Sequence, residues 1–391
     1  MPTPFSLRSE RDTRPNALTL ALAAERQRGA SVLDLTESNP TRAGVAYESQ
    51  AILAALGDPR SLTYEPEPFG LHAVRAEVAR EMARGGVSVP PEHIVLTAST
   101  SEAYAFLFKL LCDPGDEVLV PAPSYPLFDL LAAFESVRLV PYRLAYDGEW
   151  HVDTDSLRRA VSPRTRAILV VSPNNPTGSY VKRSELLGMA SLGLPIVSDE
   201  VFAAYPLVSD PRRALSALEA MDTLVFALGG LSKLVLLPQM KLAWIAAGGP
   251  PARVGEALER LELIADSYLS VGTPVQHATR GLLASGETAR AAVQARLREN
   301  HDTLRRLVGP ASAATVLKAE GGWYAVLRLP ETEPEESWVL RFLQDDKVYV
   351  HPGHFFDFPE GAHVVLSLLT PPAAFEEGLR RLVTRVDTRS R

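Results

Sequence analysis

Between residues 94 and 250 short apolar runs recur, each followed by a loop of turn-forming residues and then by a helical stretch. The runs are Ile94-Val95-Leu96, Val118-Leu119-Val120, Ala167-Ile168-Leu169-Val170-Val171, Pro195-Ile196-Val197-Ser198 and Leu224-Val225-Phe226-Ala227. Continuous apolar runs are buried on both faces, and strands alternating with helices pack as a largely parallel sheet between helical layers. In such sheets ligands bind beyond the carboxyl ends of the strands, so the loops that follow the runs carry the chemistry. The alternation stops after Trp244-Ile245-Ala246-Ala247. Helical sequence dominates 252–307. Strands near 315–317, 323–329 and 364–369, with helices near 337–344 and 373–386, then describe a smaller α+β unit. Upstream, residues 1–14 read as a polar arm and 15–28 as a helix stopped by Gly29. A short strand at Val32-Leu33-Asp34-Leu35 follows.

Composition narrows the class. The chain has 391 residues, 46% hydrophobic, with a formal net charge of -7, which suits a globular protein with a sizeable core. The acidic balance and the lack of a dense basic block argue against a nucleic-acid partner. One cysteine, Cys112, excludes an intramolecular disulfide and fits a reducing compartment, so a cytoplasmic location is expected. It reads as a small core residue rather than a nucleophile. No stretch spans a membrane, and residues 17–24 read as part of an amphipathic helix rather than a signal segment. Neither Gly-x-Gly-x-x-Gly after the first strand nor a P-loop is present, and no metal site is expected.

Each loop admits a bland and a chemical reading. Thr97-Ala98-Ser99-Thr100-Ser101-Glu102 runs from a strand into a helix. It is either a capping box or an anion site, where free N–H groups and the helix dipole favour phosphate. Leu62-Thr63-Tyr64-Glu65-Pro66-Glu67-Pro68 and Pro121-Ala122-Pro123-Ser124-Tyr125-Pro126 are proline-stiffened loops that present tyrosines. Ser172-Pro173-Asn174-Asn175-Pro176-Thr177-Gly178 is a rigid polar loop at a strand end, and Asp199-Glu200 ends the next strand. Thr36-Glu37-Ser38-Asn39-Pro40-Thr41-Arg42 either lines a site or connects. Leu228-Gly229-Gly230-Leu231-Ser232-Lys233 turns sharply at its glycines and leads into Leu234-Val235-Leu236-Leu237. A lysine held among apolar neighbours is pushed toward its neutral, nucleophilic form.

Together these residues resemble the pyridoxal-phosphate (PLP) enzymes of fold type I, specifically the class I/II aminotransferases. The resemblance covers nearly the whole chain. It implies a large domain with a mostly parallel sheet flanked by helices over 46–285. A smaller α+β domain over 286–391 would be joined by the N-terminal segment, 1–45, and would close over substrate. It also implies that Lys233 forms the internal aldimine and moves a proton, and that Asp199 holds the pyridine nitrogen protonated. Asn175 would donate to the phenolic oxygen, Tyr125 would stack on the ring, and Ser99, Thr100 and Ser101 would hold the phosphate. Tyr64 would reach the phosphate of a neighbouring subunit in a homodimer. The substrates would be an amino donor and a 2-oxo acid acceptor. A lyase or decarboxylase on the same fold, and a non-catalytic relative, are the alternatives.

Four positions depart from the family pattern. Phe202 stands where a tyrosine usually donates to the phenolic oxygen, which predicts a raised aldimine pKa unless Tyr205 substitutes. Lys241 replaces a phosphate-binding arginine, as a point charge rather than a fork. Gly230 replaces a serine. In His363-Val364-Val365-Leu366-Ser367, Val365 takes the place of the arginine that grips the substrate carboxylate, which leaves Asn39, Arg42 and His354 as candidate substrate contacts.

Overall fold

The computed structural model describes residues 5–10 and 13–389, so part of the expected polar arm lies outside the described residues. Eight strands form one sheet in the order Ile94–Thr97, Ala243–Gly248, Val225–Gly230, Ile196–Asp199, Thr165–Val171, Glu117–Ala122, Arg138–Tyr146 and Trp150–Val152. Ala243–Gly248 runs antiparallel to both neighbours and Trp150–Val152 is an antiparallel edge; the remaining pairings are parallel.

Alternation along the strands supplies two apolar faces. Leu169, Val197 and Phe226 pack with Phe106 and Leu107 of helix Thr100–Leu111 and Leu261 of helix Pro251–Asp266. Ile168, Val170 and Ile196 face the opposite way, onto Leu186 and Met189 of helix Arg183–Ala190. Register then sets where the site lies. Val171 pairs with Asp199, and Asp199 with Leu228, so three neighbouring strands end nearly flush and their loops leave the sheet at one level.

A second, antiparallel sheet has the order Thr315–Val316, Tyr324–Leu329, Ala362–Ser367, His351–Pro352. Leu33–Asp34 pairs in parallel with Val348–Tyr349, and helix Ala17–Gln27 lies against helix Glu335–Gln344. The N-terminal segment is thus built onto the C-terminal third. Helix Thr273–Leu307 is unbroken through 285/286. Its first half (Val275, Leu282) packs beside the large sheet and its second half (Val293, Leu297, Leu304) enters the core of the small one.

Two elements go beyond the sequence reading. Arg138–Tyr146 is a strand that hairpins back as Trp150–Val152, with Gly148 at positive φ in the turn. Ser49–Leu56 is a helix that lacks a start signal, because Glu48 at its N-cap makes no side-chain cap. Close packing on the long helix holds it: a Cβ on Gly281 would stand 2.7 Å from Ala55 Cβ.

Gly286, in the same long helix, lies so close to Val235 that an added Cβ would overlap it. Alanine is favoured over glycine in a helix by about 1 kcal/mol, whereas overpacking costs roughly 1–3 kcal/mol, so overpacking wins. Gly286→Ala should lower urea stability by up to about 2 kcal/mol, the overpacking cost less the helix-propensity gain. The atom met is Val235 Cβ, so in a Val235→Gly background the same change should cost much less; equal costs in both backgrounds would refute the contact.

Candidate active site

The loops after Thr97, Ala122, Val171, Asp199 and Gly230 all emerge at the carboxyl ends of mutually parallel strands, and they carry Ser99, Tyr125, Asn175, Asp199 and Lys233. Backbone bonds from Ser172 N to Asp199 O (2.9 Å) and from Glu200 N to Leu228 O (3.0 Å) extend the pairing to the strand tips.

Gly229 and Gly230 are not the turn itself. Both belong to the strand, Gly230 at an extended φ of 179°, and the chain bends at the single helical turn Leu231–Leu234. Their role is close approach: a Cβ on Gly229 would stand 2.6 Å from the Trp244 ring.

Lys233 Nζ lies 5.0 Å from the centroid of Trp323 and 5.6 Å from that of Phe202. Burial pushes its pKa down, and attraction to Asp199 opposes that shift. Trp323 arrives from the small sheet by a lacing of backbone bonds. Glu320 N and Gly321 N donate to Gly178 O (3.0 and 2.9 Å), and Gly322 N donates to Tyr205 O (2.9 Å). Gly178 permits this with a φ of 71° and no Cβ, which would stand 2.7 Å from Gly321 O.

Asp199 is buried, and burial raises its pKa. Bonds from Val201 N to Oδ1 (3.2 Å) and from Tyr104 Oη to Oδ2 (2.9 Å) favour its charged form, as does Lys233. Tyr104 packs edge-on to Phe128, which meets Tyr125 at a T-shaped contact with centroids 6.0 Å apart. Burial, then Asp199, raises the Tyr125 hydroxyl pKa.

The two asparagines divide their work. Asn174 Nδ2 donates to Pro123 O (3.1 Å) and Thr177 Oγ1 (3.0 Å), and its Oδ1 accepts from Ser124 Oγ (3.1 Å). It therefore latches two loops together. Asn175 has a buried Oδ1 without a partner, and among the described residues its amide makes no hydrogen bond.

Ser99 Oγ accepts from Glu102 N (3.2 Å), and Glu102 Oε2 accepts from Ala98 N (2.7 Å). The capping reading is therefore realised at Ser99, whereas the Thr100 and Ser101 hydroxyls make no hydrogen bond among the described residues. Lys241 is exposed and left-handed (φ 51°). It lies two residues before Ala243, which pairs with Thr97, so it sits beside the same helix start. Tyr64 is 75% exposed.

The expected substrate contacts are less gathered. Asn39 Oδ1 is taken by Thr41 N (3.0 Å) and Thr41 Oγ1 (2.7 Å). Arg42 is exposed and makes no ion pair among the described residues. His354 Nδ1 and N both contact Glu335 Oε1 (2.8 and 2.9 Å), so it would have to leave this carboxylate to meet substrate. Val365 is 1% exposed in an apolar cluster with Val326 and Phe356. Tyr205 does not substitute for a donor at Phe202, because its hydroxyl is committed to Lys233 O at 2.6 Å.

Tyr104, Trp323 and Tyr324 escaped sequence reasoning. Tyr104 reads as one more apolar residue of its helix, and Trp323 lies some 90 positions from the lysine it covers. Tyr324 stands edge-on to Phe202 with centroids 6.1 Å apart, and burial pushes its hydroxyl up to about 12.

A buried carboxylate without a cation in contact, an unpartnered amide, a deprotonation-prone amine and a helix N-terminus with free hydroxyls form a donor set that fits PLP. A model of the family described as aminotransferase class I and II matches residues 30–382. The chain belongs to the class I and II aminotransferases. The glutamate-pyruvate aminotransferase AlaA of Escherichia coli K12 is 27% identical over 348 residues, covering 86% of each chain. The alanine aminotransferase of Mycobacterium tuberculosis is 29% identical over 358 residues, 88% of this chain and 82% of that one. The solved alanine aminotransferase of Pyrococcus furiosus superposes with a TM-score of 0.86 at 26% identity, covering 99% of this chain and 100% of that one. This aminotransferase is therefore a PLP-dependent enzyme of fold type I. Among the described residues no helix is long and apolar enough to cross a membrane.

Two measurements test the electrostatics of the aminotransferase. Unfolded lysine keeps its proton to about pH 10.4, whereas folded Lys233 releases it earlier. Charge burial therefore costs stability below that range, and the cost shrinks as pH rises toward it. Cofactor-free Lys233→Met should melt above the cofactor-free parent at pH 7, with the gap closing near pH 10; a pH-independent gap would contradict the depressed pKa. Tyr104→Phe removes a hydrogen bond to a charged acceptor, worth about 1.5–3 kcal/mol. It should weaken PLP binding roughly 10- to 100-fold in a fluorescence titration, and unchanged affinity would show that Tyr104 only fills space.

Proposed function

We propose that this aminotransferase transfers the amino group of a small amino acid, with alanine or glutamate first in line, to a 2-oxo acid. The convergence of Lys233, Asp199 and Asn175 at three adjacent strand ends carries the reading, and the names of the E. coli and M. tuberculosis relatives supply the donor class.

PLP, when bound, supplies a carbonyl carbon that exchanges amines and a ring that accepts the electron pair released at the substrate Cα. The chain's own groups do the rest. Lys233 Nζ, biased toward its neutral form, takes the Cα proton and returns it on the cofactor side. Asp199, whose charged form is favoured by Tyr104 and Val201 N, would supply the counter-charge to the ring nitrogen. Asn175 offers its amide to the phenolic oxygen, and Tyr125 covers one ring face. Thr100, Ser101, the helix N-terminus and Lys241 receive the phosphate, with Ser99 joining if it leaves its cap. Trp323 and Phe202 exclude water around Nζ.

The substrate carboxylate has no arginine on strand Ala362–Ser367. We read Arg42 as its replacement, which the attachment of its loop to that strand supports. Its loop is stitched to that strand by Ser367 N to Leu35 O (2.7 Å) and Ser367 Oγ to Glu37 O (2.6 Å). Asn39 orients the same loop, and His354 stays with Glu335. Segment 1–45 and residues 286–391 close together over substrate, which is supported by the pairing of Leu33–Asp34 with Val348–Tyr349. Exposed Tyr64 and Leu62, 75% and 91% accessible, suit a homodimer in which Tyr64 serves the partner's phosphate. The single cysteine supports a cytoplasmic setting.

The test is an absorbance scan of the holoenzyme during addition of a panel of amino acids and amines. Alanine or glutamate should convert the visible cofactor band to the shorter-wavelength amine form. Conversion only by amines that lack an α-carboxylate would overturn the donor assignment.

A further inference from the structure

Consecutive residues of an extended segment point to opposite faces of a sheet. Asp199 faces the helix that carries Tyr104. Glu200 faces the other way: its Oε1 accepts from Ser198 Oγ (2.9 Å), Ser216 Oγ (3.0 Å) and Ala217 N (2.8 Å). Its Oε2 makes no hydrogen bond among the described residues. Behind the lysine turn, on this face, lies a cavity of about 290 Å³ lined by Glu200 and Arg213, with Trp244, Leu228, Ala203 and Leu215 among its apolar walls. Lys233, Asp199 and Asn175 do not line it.

Among the described residues, the charges around this cavity leave one cation without a carboxylate. Arg290 pairs with Glu81 (2.9 Å), and Arg84 with Glu81 (3.0 Å) and Glu287 (3.3 Å). Arg212, next in sequence, pairs with Asp210 (2.7 Å) and Glu149 (2.9 Å). Arg213 has no carboxylate within ion-pair distance among the described residues. Its guanidinium is held 4.8 Å over the Tyr180 ring, and the Tyr180 hydroxyl is anchored on Ala203 O at 3.1 Å. A rigidly held, unpaired guanidinium beside apolar walls is the arrangement that orients a ligand.

We propose that this cavity is a second ligand site, which binds a small organic monocarboxylate with an apolar body and couples its binding to the cofactor site. Arg213 takes the carboxylate and the walls around Trp244 take the body. At roughly 10–15 Å³ of cavity space per water-sized group, its volume has room for a one-ring carboxylate. A dianion is disfavoured, because among the described residues Arg213 is the one cation lining the cavity without a carboxylate partner, and Glu200 faces the same space. Coupling follows from shared chain. Glu200 and Val201 line the cavity directly after Asp199, and Val201 N is itself a donor to Asp199 Oδ1 (3.2 Å). Gly229, Gly230 and Leu234 line it on either side of Lys233. A ligand that shifts these walls shifts the donors to the cofactor, and the effect is reciprocal.

Burial holds the Glu200 carboxyl at about 7, with Asp199 adding to the rise. Arg213, Arg290, Arg84 and Glu81 line the same space. Glu200 is therefore mostly neutral at pH 6 and mostly charged at pH 8, so an anion binds better at the lower pH.

The experiment is calorimetric titration of the holoenzyme with benzoate, with benzyl alcohol and phthalate as neutral and dianionic controls, followed by the visible spectrum. We expect one benzoate per chain, weaker binding at pH 8 than at pH 6, little binding of either control, and a shift of the cofactor band. Arg213→Gln should lose at least tenfold in affinity, and Ala203→Phe, which fills the cavity, should abolish both binding and the band shift. Parental thermal melting of either variant shows that the fold is intact. Equal benzoate affinity in all three proteins, or strictly competitive displacement of benzoate by an amino donor with no limiting affinity at saturating donor, would overturn the proposal. The readout is binding, so it stands or falls separately from the identity of the donor.

Discussion

The site depends on the register of three parallel strands. With Val171, Asp199 and Leu228 side by side, backbone hydrogen bonds bring the Asn175 loop, the Asp199 carboxylate and the Lys233 turn to one level. A slip of one residue in Ile196–Asp199 would exchange the faces of Asp199 and Glu200. The fully buried strand interiors make such a slip costly, since it would exchange Ile196 and Val197 between two different apolar layers. Ordinary packing in the sheet thereby enforces the geometry at its edge.

Around that edge, desolvation and attraction are balanced against each other. Burial alone would neutralise both Lys233 and Asp199, and their mutual attraction works the other way. Asp199 receives two hydrogen bonds and Lys233 receives only aromatic faces. The carboxylate is therefore supported in its charged form while the amine is left nearer to its neutral one. This asymmetry suits a permanent counter-charge beside a group that must gain and lose a proton. The cover over the amine comes from the small unit through Trp323. Any movement of that unit thus changes the solvation of Lys233 directly.

Much of the cofactor face was legible in the residue string. Apolar runs ending in Ser, Asn, Asp and Lys declare where strands stop, and each stop lies at a ligand-binding edge once the strands are parallel. The two glycines before Lys233 were legible as residues but not in their role: they admit the Trp244 ring inside the strand rather than make the turn. Likewise Ser99 caps its helix, the bland reading of its loop. The substrate side was less legible. Val365 shows that a charge is missing from its strand, but no local pattern shows that Glu335 holds His354 or that Leu236 O and Lys233 O occupy the hydroxyls of Tyr47 and Tyr205.

What the amino-acid sequence determined by itself is the set of short-range facts: the alternating strands and helices, the polar residues at their ends, and an apolar setting for one lysine. These follow from periodicity and turn chemistry, which act over a few residues. What only the tertiary structure decided is which distant groups meet. Tyr104 comes to Asp199 across 95 positions, Trp323 comes to Lys233 through the lacing of Gly178 to Glu320 and Gly321, and Arg213 is left without a carboxylate while its neighbours are paired. What Arg213 lacks is a carboxylate among the described residues, since its guanidinium lies over the Tyr180 ring. Such outcomes depend on the closure of the whole chain, because burial, charge pairing and exclusion of water are properties of the packed interior.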